Sequence, residues 1–328
     1  DQLIATVIPR VGVERDGYTE CIIPNIVRKR ILTTPGFPAP VPRSAVDPVY
    51  KIVQVPGKGL GMAATRDIEA RGLVLAERPL KITPMALRCY NMAKKEGLTN
   101  NDFMIVELQE SERFLEKFSF SLMDAGKKKA FFALHNAHTK DGSGPIVGRL
   151  RTNGFGIPEL KDALDGEDRD DLAKTLKGTC EVGSRFNHIC EPNSTWEFDV
   201  RAFSFLFFTT RDVKAGEELT VTYCALSIPT AERNKALDPY AFKCTCPRCL
   251  DPSSSDKTTT TLSAILRATT AALLQNHRSA ESVLQMALRC YDMAEKEGLK
   301  NDERFLASVE LVVVVYQMIG DLENAVTY

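Results

Sequence analysis

Asn187-His188-Ile189-Cys190-Glu191-Pro192-Asn193 is the stretch whose reading decides the fold. It sets one thiol among an amide, an imidazole and a proline-marked bend, so a candidate metal ligand sits beside side chains that both give and take hydrogen bonds. Downstream, Gly216-Glu217-Glu218-Leu219-Thr220-Val221-Thr222-Tyr223 passes from an acidic turn through a β-like alternation to a tyrosine. Then Cys244-Thr245-Cys246-Pro247-Arg248-Cys249 places three thiols within six residues. Zinc takes four ligands in a tetrahedron and favours thiolates, so these three need a fourth from elsewhere. Cys190 is the best candidate, because Pro192 and Asn193 suggest a fixed bend around it; Cys180, Cys224 and His188 compete. A closed site of four thiols would tie residue 190 to residue 249 and make the fold metal-dependent.

The bulk composition narrows the function classes. The 328 residues, 44% of them hydrophobic, suit a globular protein with a sizeable core. The formal net charge of −1 offers no electrostatic case for nucleic acid, whose phosphates need a basic surface. No run approaches the roughly 20 apolar residues that span a bilayer. No secretory leader is expected from the first residues. Nine cysteines, clustered and odd in number, fit metal binding in a reducing compartment better than a disulfide framework.

Along the chain, Pro35, Pro38, Pro40 and Pro42 deny backbone donors, and residues 1–47 read as an extended N-terminal arm or linker. From Tyr50 to Leu80, short strands alternate with turns, Pro56-Gly57-Lys58-Gly59-Leu60-Gly61 among them. Residues 85–145 read as a helical insert, and 159–183 as a further helical segment. β texture resumes over Arg201–Thr210 and Glu218–Tyr223. Asp251-Pro252-Ser253-Ser254-Ser255 reads as a linker, and 256–328 as amphipathic helices with the rhythm of a tetratricopeptide-type repeat. Met85-Ala86-Leu87-Arg88-Cys89-Tyr90 recurs as Met286–Tyr291, with near-identity continuing to Gly97-Leu98 and Gly298-Leu299. A single near-identical pair in different surroundings has no physical explanation in the sequence.

Five motifs in order carry a family resemblance. Lys58-Gly59-Leu60-Gly61 resembles an opening G-x-G turn. Arg151-Thr152-Asn153-Gly154-Phe155-Gly156-Ile157 resembles an N-S-F-x-I segment, with Gly154 in place of serine. Asn187–Asn193 resembles N-H-S-C-x-P-N, with Ile189 in place of the small serine and Phe186 where an aliphatic is usual. Gly216–Tyr223 resembles G-E-E-L-x-x-x-Y. Pro239-Tyr240-Ala241-Phe242-Lys243-Cys244 and the thiols after it resemble a cysteine-rich post-SET element. The chain thus resembles the SET-domain protein-lysine methyltransferases, and among them the SMYD branch, lacking that branch's MYND zinc finger.

The resemblance implies an α+β fold: a β-rich SET domain with short strands and a knotted core plus post-SET over 48–250, then a TPR-like helical segment over 256–328. It implies transfer of a methyl group from S-adenosylmethionine to a lysine amine of a histone or non-histone protein. Lys58, Gly59, Gly61, Asn153, Asn187, His188, Tyr223 and Phe242 would bind the cofactor. Tyr223 and Tyr240 would be catalytic and line the lysine channel, and Cys190, Cys244, Cys246 and Cys249 would hold structural zinc. The implied partner is a protein or peptide bearing lysine, with no membrane or direct nucleic-acid binding, for a monomer in the nucleus or cytoplasm. The alternative reading is a catalytically inactive SET-fold interaction protein that binds peptides through its helical tail.

Overall fold

A computed structural model describes residues 3–10, 16–43, 48–84, 100–163, 176–275, 278–296, 299 and 303–328. The first copy of the duplicated segment, at 85–98, lies outside the described residues. The chain divides into two compact units, one of Asp1–Phe186, Trp196–Thr209 and Val213–Glu218, the other of Asn187–Thr195, Thr210–Asp212 and Leu219–Tyr328. No helix among the described residues is long and apolar enough to cross a membrane.

The first unit corrects the expected extended arm. Leu3–Ile8 and Thr19–Pro24 form an antiparallel pair, and the helix Asn25–Thr33 follows directly. Both strands join a five-stranded sheet completed, in order, by Lys81–Pro84, Leu176–Thr179 and Gly154–Gly156. The residues of Thr19–Pro24 are all buried. The four prolines that suggested an arm belong only to the irregular stretch after the helix; they say nothing about the β-branched residues before it. The expected helix over 159–183 is likewise corrected at both ends, its middle, 164–175, lying outside the described residues. A 3₁₀ turn covers Pro158–Ala163, and Leu176–Thr179 is a strand held on both sides by partners distant in sequence.

Other elements follow their local signals. Tyr50–Val55 and Gly59–Ala64 pair antiparallel, with Val55 opposite Gly59. The turn between them needs left-handed backbone at Gly57 and Gly59, both at φ +75°, where a side chain would be strained. Leu73–Glu77 and Ser204–Thr209 pair antiparallel, and Ser194–Asp199 flanks the second. Phenylalanines of Ser204–Thr209 build an aromatic core with Phe155 of Gly154–Gly156, which lies 5.5 Å from Phe205 and 5.3 Å from Phe207. Phe186 stacks on Phe207 at 4.8 Å, which gives the aromatic before Asn187 a packing role. The helices Asn100–Leu115, Ala125–Phe132 and Pro145–Asn153 bury a cluster containing Leu108, Leu115, Phe131, Ile146 and Leu150. Glu112 joins two of them, accepting the N–H groups of Ile146 and Val147 at the open N-terminus of Pro145–Asn153.

The second unit begins with a very short parallel pair, Asn187–His188 beside Glu218–Val221, in which Thr220 faces Asn187 and Val221 faces His188. Helices dominate the remainder: Thr230–Leu237, Pro247–Leu250, Pro252–Gln275, Ala280–Lys296, Glu303–Met318 and Leu322–Thr327. The expected linker at 251–255 is in fact a helix start. Asp251 accepts the Ser254 N–H at 3.1 Å, and Pro252 sits in the first helical turn, where its missing donor costs nothing. In the Ser/Thr-rich stretch that follows, Thr260 and Thr261 donate back to the carbonyls of Asp256 and Lys257, so their hydroxyls are satisfied within the helix. Ala280–Lys296 buries Val283, Leu284, Ala287, Cys290 and Ala294 along one stripe. Burying a valine or leucine side chain stabilises by about 1.5–3 kcal/mol, so this stripe anchors the helical segment.

Candidate functional site

The residues expected at the site are described within each unit in turn. In the first, Lys58 and Gly59 stand at the hairpin turn, where the Lys58 N–H donates to the Val55 carbonyl. The Lys58 ammonium is 3.0 Å from the Glu218 carboxylate, so the acidic turn motif and the glycine turn motif meet. Gly61 lies opposite Val53 in the same hairpin. Asn153 ends the helix Pro145–Asn153; its side-chain NH₂ donates to the carbonyls of His135 and Arg149, both at 2.8 Å. Its amide nitrogen is therefore committed to closing the helix end.

Gly154 accounts for the departure from the serine pattern. A Cβ built there would stand 2.5 Å from the Leu150 carbonyl oxygen, closer than packing permits.

In the second unit, the parallel pairing carries His188 alongside the end of the strand that leads to Tyr223. Nδ1 of His188 accepts the Tyr223 backbone N–H at 3.0 Å. The His188 and Tyr223 ring centroids are 5.4 Å apart, those of His188 and Phe242 6.0 Å, and those of Tyr223 and Tyr240 4.8 Å. Tyr240 closes the 3₁₀ turn Asp238–Tyr240 and Phe242 follows two residues later. Between them Ala241 adopts φ +57°, an uncommon conformation for a residue with a Cβ, which reverses the chain and brings both rings back to one cluster.

That cluster also contains the thiols. Cys190, Leu226, Leu237, Cys244 and Cys246 are its buried centre, and Ile189, Tyr223, Cys224, Tyr240, Phe242 and Cys249 pack against it. Ile189 thus has a defined apolar place beside the sulfurs. The sulfurs of Cys190, Cys244, Cys246 and Cys249 all lie within 4.8 Å of one another and could hold a metal ion. Cys190 Sγ is 3.9 Å from that of Cys244 and 3.5 Å from that of Cys249. Four sulfurs around one zinc stand about 3.8 Å apart, given Zn–S bonds of about 2.3 Å, so the spacing fits. No disulfide joins any of the four. Cys224 packs against the group without belonging to it, and Cys180 belongs to the other unit.

The surrounding charges also fit a metal. Arg233 is fully buried at 0% exposure, and its Nε has no hydrogen-bond partner among the described residues. Burial disfavours its charge, but the Cys190 and Cys249 sulfurs more than offset this, and its pKa lies above the ordinary value. Arg248, also buried, donates to the Cys190 carbonyl at 3.1 Å. Buried cations need buried anions. Four thiolates on a divalent ion form a doubly anionic complex that two guanidiniums can balance.

Without a cation, four ionised sulfurs at this spacing would repel one another. The thiols instead share protons: the hydrogen bonds that Cys190 donates to Cys224, Cys244 and Cys246 hold its pKa well above the usual range, and the hydrogen bonds that Cys246 accepts from Cys190 and Cys244 hold its own well below it.

The roles of Arg233 and Arg248, and the partner of Asn193, escaped the sequence reading. Asn193 ends the quoted string, and its Oδ1 accepts the Thr220 N–H at 2.9 Å, joining the first motif to the second. Its place in the motif was visible, although its partner was not. Neither arginine differs in sequence from a surface residue.

A sequence model of the family described as "SET domain" matches residues 59–224, just over half of the chain. The matched span contains Gly59, Gly61, Asn153, Asn187, His188, Cys190 and Tyr223; the thiols of Cys244, Cys246 and Cys249 follow it. Histone-lysine N-methyltransferase set5 of Schizosaccharomyces pombe is 31% identical over 202 residues, 61% of this chain and 50% of that protein. The chain thus spans about half of that relative's length. The putative SET domain-containing protein L678 of Acanthamoeba polyphaga mimivirus is 27% identical over 210 residues, 61% of this chain and 76% of that protein. Protein-lysine N-trimethyltransferase SMYD5 of Gallus gallus is 31% identical over 110 residues, 32% of this chain and 26% of that protein. With its family match running from the glycine turn to just past Tyr223, the chain belongs to the SET-domain family.

Proposed function

We propose that this protein is a protein-lysine N-methyltransferase that uses S-adenosylmethionine and carries one structural zinc. The observation that carries the reading is the aromatic pair Tyr223–Tyr240, 4.8 Å between centroids, packed against the thiols that could hold a metal, with the His188 ring 5.4 Å from that of Tyr223. Family membership supplies the chemical context.

S-adenosylmethionine supplies a methyl group on a sulfonium, ready for in-line displacement. The protein's task is alignment, together with delivery of a neutral amine. Free lysine has a pKa of about 10.4, and an aromatic wall disfavours the ammonium by desolvation. Tyr223 and Tyr240 would form that wall and orient the amine, and their hydroxyls and nearby carbonyls would receive the polarised methyl. The proposed cofactor-binding residues are Lys58, Gly59, Gly61, Asn153, Asn187, His188, Tyr223 and Phe242. Cys190, Cys244, Cys246 and Cys249 would hold the zinc. Its role is to fold the segment bearing Tyr240 and Phe242, apart from the chemistry.

In the same reading, 48–250 form the SET domain with a post-SET element, and 256–328 form a TPR-like segment of the SMYD branch without a MYND finger. The substrate is a lysine-bearing protein, histone or otherwise, met in the nucleus or cytoplasm.

The test is calorimetric titration of the zinc-loaded protein with S-adenosylmethionine, followed by transfer of labelled methyl groups to lysine-bearing proteins. Saturable binding and label in acid-stable methyl-lysine are expected. Absence of saturable binding would overturn the reading in favour of a SET-fold interaction protein.

A further inference from the structure

Two hydrogen bonds converge on the His188 imidazole, and together they define its tautomer. Nδ1 accepts from the Tyr223 backbone N–H at 3.0 Å. A backbone N–H can only donate, so Nδ1 carries no proton, and in the neutral ring the hydrogen is on Nε2. Nε2 lies 3.4 Å from Cys190 Sγ, where that hydrogen finds a sulfur acceptor. Both residues are deeply buried, His188 at 2% exposure and Cys190 at 0%. A bond from a ring N–H to a thiolate is charge-assisted and stronger than one to a neutral thiol, and a bound metal keeps the sulfur deprotonated.

The backbone around the ring reinforces this arrangement. His188 faces Val221 in the parallel pair, and the Ile189 N–H donates to the Val221 carbonyl at 3.1 Å. The segment just before Tyr223 is thus held by strand pairing. Tyr223 itself lies past the strand's end at Val221, and its N–H is held by the imidazole.

We infer that His188 is a positioning residue, a strut that fixes the Tyr223 backbone to the metal-ligating sulfur of Cys190. The inference rests on the proposed methyltransferase reading only for its catalytic consequence. The structural claim is separate: metal occupancy and the placement of Tyr223 are coupled through one side chain. It also refines the expected cofactor role of His188, since these two bonds engage both ring nitrogens.

Asparagine and glutamine separate the two halves of the strut. The Asn side-chain oxygen falls near the position of Nδ1, and the Gln side-chain nitrogen near that of Nε2. His188→Asn therefore keeps the acceptor for Tyr223 and removes the donor to sulfur; His188→Gln does the reverse. The full-length protein and both variants are loaded with zinc and challenged with a chelator. Hydrogen exchange at the Tyr223 amide is then followed with and without zinc.

His188→Asn should hold zinc about 10-fold more weakly, the usual scale for losing an outer-sphere partner, while the Tyr223 amide stays protected. His188→Gln should retain zinc and speed exchange at Tyr223. Stripping zinc from the wild type should also speed that exchange. If the wild type transfers methyl groups, both variants should lower kcat by more than they raise the KM for S-adenosylmethionine. Equal zinc retention in the two variants would overturn the strut, as would wild-type Tyr223 protection unmoved by zinc removal. A change confined to cofactor affinity would instead make His188 a cofactor contact. Lack of methyl transfer by the wild type would refute the proposed function and leave the zinc and exchange results to decide the strut.

Discussion

Asn193 Oδ1 accepts the backbone N–H of Thr220 at 2.9 Å, and that bond is buried. The Thr220 hydroxyl approaches the same oxygen at 3.4 Å, and the Ser194 hydroxyl at 3.1 Å. One amide oxygen thus pins the loop after Cys190 to the strand that leads to Tyr223. Asn193→Ala leaves the Thr220 donor buried without its acceptor, which costs about 1–3 kcal/mol. Urea unfolding should show a lower midpoint with an unchanged slope, and an unshifted midpoint would refute the pinning role.

Tyr223→Phe keeps the ring that packs against Tyr240 and removes only the hydroxyl. Under the proposed reaction, kcat should fall about 10²-fold, the scale for losing one oriented polar group at the reacting centre. Cofactor affinity should stay close to wild type, because the packing is preserved. Single-turnover methyl transfer together with calorimetry would measure both, and full activity would remove Tyr223 from the catalytic assignment.

Metal binding should depend steeply on pH. Burial pushes the Cys249 thiol up to about 11, and neighbouring thiols hold Cys190 higher still. Below those values the metal-free site keeps protons that zinc must displace, so apparent affinity rises with pH and falls on acidification. Zinc release followed with a chromogenic chelator should be faster at pH 5.5 than at pH 8. Release independent of pH would argue against thiolate ligation.

Gly154→Ser restores the residue found in the N-S-F-x-I pattern, and here it should destabilise. The new Cβ would meet the Leu150 carbonyl oxygen at 2.5 Å, and backbone atoms cannot swing aside as a flexible side chain can. Overpacking of this kind costs about 1–3 kcal/mol. Thermal unfolding should show a lowered Tm, whereas equal or greater stability would show that the helix end relaxes freely.

Motif chemistry made the ligand group legible. Three thiols in six residues require a fourth, and the bend at Pro192 and Asn193 pointed to Cys190, whose sulfur does lie among them. Strands marked by alternation and turn residues, such as Tyr50–Val55 and Leu73–Glu77, could also be read locally. Leu176–Thr179 could not. It contains Lys177 and Gly178, poor strand formers, and exists because Lys81–Pro84 and Gly154–Gly156 flank it. Gly178 is needed there because a Cβ would strike the Phe205 ring at 2.5 Å.

The sequence by itself determined the chemical inventory: the clustered thiols, the tyrosine that follows a strand and the glycines of the turns. These signals are local, since residue type and short spacing dictate ligand softness, turn geometry and strand periodicity. Only the tertiary structure decided the partnerships. That Asn193 holds Thr220, that Arg233 is buried against the Cys190 and Cys249 sulfurs while Arg248 donates to the Cys190 carbonyl, and that His188 bonds both Tyr223 and Cys190 are facts about groups brought together by the fold. Their proximity depends on burial, which makes an unpaired donor or charge costly and so selects the fold that pairs it.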